Sequence, residues 1–179
     1  MNPLISFCAL LFFIPAISLA QPSVQDGYGE NSIIAGTAYS GNHITLLKAV
    51  KATNLDRILN EDGPFTIFAP SDKAFKKLSK DKMAALFLPE NEKELFSLLT
   101  YHIVAGNLTA SKMLLAMSRG NGKASFTTVQ GNKIFVSMQG LDIVLTDNFG
   151  NSAKIITADS NQCNGVIHEI DSVILPKIL

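Results

Sequence analysis

The stretch GPFTIFAPSDKAF, residues 63–75, decides the local architecture of this chain. The Gly-Pro pair at its start ends any preceding helix, and the short apolar run at residues 65–69 predicts a buried strand. Ser71 and Asp72 then predict a helix start. A serine oxygen accepts hydrogen bonds from free backbone amides, and an aspartate suits the positive end of the helix dipole. The stretch therefore predicts a strand that runs directly into a capped helix.

Two short helices are predicted before this stretch. Apolar residues recur at helical spacing over residues 46–50 and again over residues 55–59. Asn54 lies between them, and asparagine tolerates the left-handed conformation that ends many helices. Residues 21–41 are rich in Gly and Ser and predict an N-terminal arm, in which SIIA at residues 32–35 predicts a short strand.

A longer helix is predicted after the stretch. Asn91 and Glu94 have the spacing of a capping box, in which two side chains bond free amides at a helix start. One apolar face of this helix consists of Leu95, Leu98, Leu99 and His102. Gly106 is predicted to end it, and Thr109 is predicted to cap the next helix.

The second half of the chain changes to alternating polarity. Residues 126–130 and 133–138 flank Gly131-Asn132 and predict a hairpin with a two-residue turn. Further strands are predicted at residues 141–146, 154–158 and 166–175. Because the helices cluster first and the strands later, the predicted class is α+β with a largely antiparallel sheet.

The first twenty residues predict a signal peptide. Residues 1–20 carry no charged side chain, contain an apolar core and end in the small residues that signal peptidases select. Cleavage is expected before Gln21. A membrane-spanning helix is the alternative, but Pro15 interrupts an apolar run shorter than the roughly 20 residues that a span requires.

The charge balance argues against nucleic acid as a partner. The chain has 15 basic and 15 acidic residues and no net charge, whereas nucleic-acid binders usually carry a basic excess. After signal cleavage Cys163 is the single cysteine, so no internal disulfide is predicted. We expect Cys163 to be an ordinary turn residue, with an intermolecular disulfide as the alternative.

Three blocks, at residues 63–75, 99–106 and 164–176, carry a family resemblance. The second reads LTYHIVAG and the third NGVIHEIDSVILP. In this order and spacing they resemble the fasciclin (FAS1) domain family. The resemblance implies an α+β wedge of two mainly antiparallel sheets with several short helices packed along one side. It places the domain at residues 42–177, after the arm.

The resemblance also implies a function. Fasciclin domains are extracellular and are associated with adhesion, so the expected protein is a secreted, non-enzymatic module that contacts extracellular proteins, matrix or cell-surface glycans. No cofactor is expected, the balanced charge argues against nucleic acid, and no stable membrane insertion is expected after signal cleavage. Self-association is compatible with the resemblance, as is a periplasmic or cell-surface location in a bacterial host. The alternatives are a carrier with an apolar cleft between the sheet and the early helices, and a hydrolase, for which no Gly-x-Ser-x-Gly motif is present.

Two histidines are the candidate site residues. His102 shares the apolar helix face, and strand alternation places His168 on the face of Val166 and Ile170, so both rings are expected to be hydrogen-bonded core residues. In the alternative, Tyr101 and His102 form an adhesion motif. Tyr101 lies about 100° round the helix and is expected to be partly exposed. No metal site is predicted, because the histidines are scattered and short ligand spacings are absent.

Two further motifs bear on recognition. Asn107 begins an Asn-Leu-Thr glycosylation sequon in an expected surface turn. Animal fasciclin domains that bind integrins often carry Asp-Ile before the closing strand, whereas the matching residues here, 159–161, read Asp-Ser-Asn. Integrin-type recognition is therefore not expected.

Overall fold

A computed structural model describes residues 31–61 and 63–177 of the chain. The predicted signal peptide and residues 21–30 of the predicted arm lie outside these residues. Within them the helices are α1 (Ile33–Tyr39), α2 (Ile44–Ala52), α3 (Leu55–Glu61), α4 (Asp72–Phe75), α5 (Lys80–Leu86), α6 (Glu92–Tyr101) and α7 (Ala110–Arg119), with a 3-10 turn at Pro89–Asn91. In this described part, no helix is long and apolar enough to cross a bilayer.

The strands confirm the predicted α+β class. They are β1 (Phe65–Pro70), β2 (Ile103–Ala105), β3 (Lys123–Thr127), β4 (Lys133–Gln139), β5 (Asp142–Thr146), β6 (Ser152–Gln162) and β7 (Gly165–Ile170). Their spatial order is β2-β1-β7-β6-β5-β4-β3, and only the β1–β7 pair among these neighbours is parallel. The long strand β6 pairs with β5 at its start and with β7 over the rest, so it joins the two halves of the sheet.

The central β1–β7 pair separates two hydrophobic cores. Along β1, Ile67 and Ala69 point into a core shared with α1 to α6, and Phe68 points into a core shared with α7 and the inner face of β4 and β5. Parallel strands buried on both faces read as continuous apolar runs, which is why the sequence of β1 does not alternate. Gly165 begins β7 with φ +151, where an added Cβ would overlap the carbonyl oxygen of Phe65.

Several helices begin or end at the predicted residues, through side-chain caps or a left-handed backbone conformation. Asn54 has φ +53 between α2 and α3. The Ser71 hydroxyl accepts a hydrogen bond from the Ala74 amide, and the Thr109 hydroxyl accepts one from the Lys112 amide. Local sequence signals therefore fix where these helices begin and end.

The predicted strand at residues 32–35 is wrong, because this segment begins helix α1. The Ser32 hydroxyl caps the helix, and Ile33 and Ile34 are buried in the first core. Ile33 also donates its amide to Asn164 Oδ1 at 2.8 Å, which ties α1 to the start of β7. Burial and this long-range bond override the strand preference of the two isoleucines.

The boundary between helix α6 and strand β2 also differs from the prediction. Helix α6 ends at Tyr101 and not at Gly106, because residues 103–105 form β2 and pair antiparallel with β1. The Asn91 side chain makes no capping bond and instead donates to the carbonyl of Ala85 at 2.8 Å. The predicted capping box is therefore absent.

Strands β3 and β7 both end earlier than predicted. In each case the backbone amides that follow the strand bond to groups other than the neighbouring strand. The β3–β4 connection spans residues 128–132, since the amides of Val129 and Gln130 donate to carbonyls at the end of α6 and in β2. Strand β7 ends at Ile170 and not at residue 175, since the following C-terminal segment bonds to side chains of His102 and Asp147.

One face of the β3–β6 half of the sheet points outward. Helix α7 packs on the opposite face, where its buried Met113 and Met117 join the second core. The exposed and half-buried residues that point outward, in cross-strand register, are Lys123, Ser125, Thr127, Lys133, Phe135, Ser137, Asp142, Thr146, Ser152 and Lys154. We call this surface the outer sheet face.

Candidate functional site

His102 lies at the C-cap of α6 and is 2% exposed. Its Nδ1 lies 2.8 Å from the carbonyl oxygen of Leu98, and its Nε2 accepts a hydrogen bond from the Ile174 amide at 3.3 Å. A carbonyl only accepts and an amide only donates, so the neutral tautomer with the proton on Nδ1 satisfies both partners. The ring therefore joins the end of α6 to the C-terminal segment.

Burial sets the charge state of this ring. It lowers the pKa of His102 to about 4, although the hydrogen bond to Leu98 works in the opposite direction. The imidazole is neutral at neutral pH, as its acceptor role toward Ile174 requires.

Tyr101 is fully buried, so the expectation of a partly exposed ring is wrong. Its hydroxyl donates to the carbonyl of Lys133 at 2.9 Å. Burial and the nearby Asp147 carboxylate raise the pKa of the phenol to about 12. The rotation of about 100° along α6 does separate the two side chains. It turns Tyr101 into the second core and not toward solvent.

His168 is also fully buried, in the middle of β7. Its Nε2 lies 2.8 Å from the Leu108 carbonyl, and its Nδ1 accepts from the Asp159 amide at 3.2 Å. The ring stacks on Phe68 with centroids 5.6 Å apart. Burial lowers the pKa of His168, against the opposing effects of Leu108 and Asp159. This ring connects β7 to β6 and to the loop before α7.

These positions bear directly on the adhesion motif considered for Tyr101 and His102. Both side chains lie inside the fold, and all three polar atoms of the pair have intramolecular partners. A contact through these side chains is therefore not available on the folded surface. The geometry gives them a supporting position beneath the surface.

Sequence reasoning missed Asp147, a carboxylate that is 3% exposed in the turn between β5 and β6. Its Oδ1 accepts from the amides of Phe149 at 2.8 Å and Asn151 at 2.9 Å. Its Oδ2 accepts from the Asn151 side chain at 2.8 Å and from the Leu175 amide at 3.0 Å. The Asp and Gly residues of the turn signal a local Asx-type bend. No local signal indicates the bond to Leu175.

These buried groups underlie a surface groove of about 680 Å³. The groove is lined by Lys82, Lys93, Glu94, Ser97, Leu98, Phe149, Asn151, Leu175 and Pro176. Asp147 fixes the backbone of three lining residues, Phe149, Asn151 and Leu175. His102 forms hydrogen bonds with the Leu98 carbonyl on one side of the groove and with the Ile174 amide, next to Leu175, on the other. The groove is thus held in shape from within.

The carrier alternative placed an apolar cleft elsewhere, between the sheet and the early helices. That region contains a cavity of about 20 Å³, lined mainly by apolar residues of α1, α2 and α3. A second pocket of about 80 Å³, lined mostly by polar residues, lies between α1 and strands β6 and β7. The apolar cavity accommodates about one water molecule. The early helices therefore pack closely on the sheet.

The remaining predicted residues lie apart from the groove. Asn107 is exposed, whereas Leu108 of the same sequon is buried. Cys163 is an exposed, free thiol in the turn before β7. His43, the third of the scattered histidines, is buried, with Nδ1 3.0 Å from the Pro70 carbonyl. Across residues 31–61 and 63–177, no three potential metal ligands cluster together.

Comparison with known proteins agrees with this fold. The model of the fasciclin domain matches residues 41–176. Protein sll1483 from Synechocystis sp. is 33% identical over 188 residues, which cover 98% of this chain and 97% of that protein. Transforming growth factor-beta-induced protein ig-h3 from Sus scrofa is 30% identical over 73% of this chain, which corresponds to 17% of that protein.

A solved structure shares the same architecture. It is a FAS1 domain pair from the insect cell adhesion molecule fasciclin I, with a TM-score of 0.69 and 21% identity. The match covers 83% of this chain and 51% of that one. With the family model spanning most of the sequence and the predicted blocks in place, the chain belongs to the fasciclin domain family.

Proposed function

We propose that this chain is a secreted, non-enzymatic interaction domain that contacts a partner protein through its outer sheet face. The observation that carries the proposal is the arrangement around Phe135. This ring is 44% exposed at the middle of β4, in register with Ser125 on one side and Thr146 on the other. A central aromatic residue within a ring of small polar residues is the typical composition of a protein interface.

Charge narrows the chemistry of the partner. Lys123 and Lys133 flank Phe135 on the outer face, and neither forms an ion pair within the described part of the chain. Lys154 on the same face is paired with Asp142 at 2.6 Å. The complementary surface is therefore an apolar patch with an acidic rim.

The location outside the cytoplasm rests on the sequence of the first twenty residues and on the family. The uncharged apolar run ends in Ser-Leu-Ala, and the FAS1 pair of similar fold comes from a cell adhesion molecule. N-terminal sequencing of the native protein tests this part. A chain that begins at Gln21 supports secretion, and one that retains Met1 contradicts it.

The absence of enzymatic activity is proposed from the histidines. A hydrolase of the serine type needs an accessible nucleophile within hydrogen-bond reach of a histidine in a cleft. His102 and His168 are buried, and both ring nitrogens of each are engaged by backbone groups. Neither ring is therefore free to take a proton from a substrate-facing hydroxyl.

The partner is first identified by cross-linking the wild-type domain to extracellular proteins of its native environment. The affinity of that partner is then measured for the wild type and for three variants. Phe135→Ala and Lys133→Glu are expected to weaken binding about tenfold or more, since interface centres dominate affinity. Phe96→Ala is the matched control, because Phe96 is 38% exposed on α6, outside the outer face. Equal binding by Phe135→Ala and the control would contradict the proposed surface.

A further inference from the structure

We propose that the groove between α5, α6, the β5–β6 turn and the C-terminal segment binds an apolar chain that carries one acidic head group, such as a medium-chain fatty acid. The groove residues differ from those of the outer sheet face. The inference is therefore independent of the proposed partner contact.

The size and lining of the groove fit one small amphiphile. Its volume of about 680 Å³ lies within the range of roughly 300–1,000 Å³ that small-molecule sites occupy. Leu98, Phe149, Leu175 and Pro176 give it an apolar surface. Phe149 is 59% exposed in the free protein, so an alkyl chain would cover apolar surface that now faces water.

The charges at the rim favour an anion. Lys82 on α5 is half-buried, Lys93 on α6 is exposed, and neither has a carboxylate partner among the residues that the structure describes. Glu94 is the one acidic residue of the lining, so the two ammonium groups leave a positive excess at the rim. A carboxylate accepts charge-assisted hydrogen bonds from such groups, whereas an alcohol of equal length does not gain this pairing.

The groove is formed before any ligand arrives. Asp147 accepts the amides of Phe149, Asn151 and Leu175, and His102 accepts the amide of Ile174. These bonds fix the two backbone segments that face α6. Ligand binding therefore orders little additional backbone, and this low entropic cost allows a shallow site to bind with measurable affinity.

Isothermal titration of the domain with sodium decanoate and with 1-decanol tests the inference. We expect decanoate to bind the wild type, and Phe149→Ala to weaken it about tenfold because the largest apolar contact is removed. The Lys82→Gln, Lys93→Gln double variant is expected to weaken decanoate about tenfold and to leave decanol nearly unchanged.

The controls use equivalent residues on the other surface. Phe135→Ala and Lys133→Gln remove an exposed phenylalanine and an exposed lysine outside the groove and are expected to bind decanoate like the wild type. The inference fails if decanoate does not bind below its micelle concentration, or if the control variants lose as much affinity as the groove variants. Equal affinity of the wild type for decanol and decanoate would show that the groove does not recognise an acidic head group.

Discussion

The carboxylate of Asp72 caps helix α2, which begins 28 residues earlier in the chain, since its Oδ1 accepts a hydrogen bond from the Thr45 amide at 2.8 Å. Its Oδ2 accepts from the Ile44 amide at 3.2 Å. The N-cap residue of α2 itself, His43, makes no side-chain capping bond. The Ser-Asp pair of the opening stretch thus starts two helices, because Ser71 caps α4 while Asp72 caps α2.

Asp72→Ala is expected to lower the free energy of unfolding by about 1 kcal/mol at neutral pH, the usual effect of losing a helix cap. Urea unfolding measures it. Asp81→Ala is the matched control, because Asp81 is an exposed acidic residue in the first turn of α5. A loss no larger than that of the control would contradict the capping role.

The same contact has a pH dependence. Burial works to raise the pKa of Asp72, but hydrogen bonds from Thr45 and Ile44 and the nearby His43 hold it below its ordinary value of 3.8. A carboxyl with a lowered folded pKa stabilises the protein above its unfolded pKa, and that stability is lost as the pH falls through the folded value. The difference between wild type and Asp72→Ala should therefore persist down to about pH 4 and shrink below it.

Tyr101→Phe is expected to cost about 1 kcal/mol of stability, since the hydrogen bond to the Lys133 carbonyl is lost while the ring remains. The phenol pKa is raised to about 12, so stability is full below the unfolded pKa of 10.0 and is lost as the pH rises through the folded value. Urea unfolding of wild type and variant measures the stability difference. Ultraviolet difference titration of wild type against the variant measures the phenol pKa of Tyr101. A midpoint at the ordinary value would show that the hydroxyl is exposed.

The buried histidines predict a loss of stability in mild acid. The folded pKa of His102 is about 4 against an ordinary 6.5, so its contribution is full above the unfolded value and is lost as the pH falls toward 4. This pKa shift corresponds to a change in the free energy of unfolding on the order of 3 kcal/mol. Burial gives His168 a shift in the same direction.

Urea unfolding between about pH 7 and pH 5 checks this, a window above the titration of most carboxylates. His102→Asn is expected to reduce the pH slope, because the titrating ring is removed. An unchanged slope in that variant would contradict the assignment of the pH dependence to His102.

Local signals were sufficient for much of the fold. The serine before α4 and the threonine before α7 cap as predicted because a cap needs only the next three residues of the chain. Asn54 ends α2 in the left-handed conformation for the same reason. The β1 run and the later alternating strands give the α+β class, since periodicity reports which faces are buried.

The supporting contacts of the groove required the tertiary structure. Helical geometry gives the angle between Tyr101 and His102, but only the packing of β4 over the helix end shows that Tyr101 is buried. Asp147 reads as a turn residue, and its bond to Leu175, 28 residues away, has no local signature. The groove itself joins four segments of the chain and has no sequence motif.

The central claim is that the Tyr-His motif acts from inside the fold, and the unfolding free energy of His102→Ala tests it most directly. The substitution removes the acceptor for the Ile174 amide and the donor to the Leu98 carbonyl, and it leaves a small void. We expect a loss of about 1–3 kcal/mol or more in urea unfolding at neutral pH. His102→Asn should recover part of it, because its amide can still donate toward Leu98. A variant His102→Ala that unfolds like the wild type yet no longer binds its partner would show that the motif is a contact site and would contradict the account.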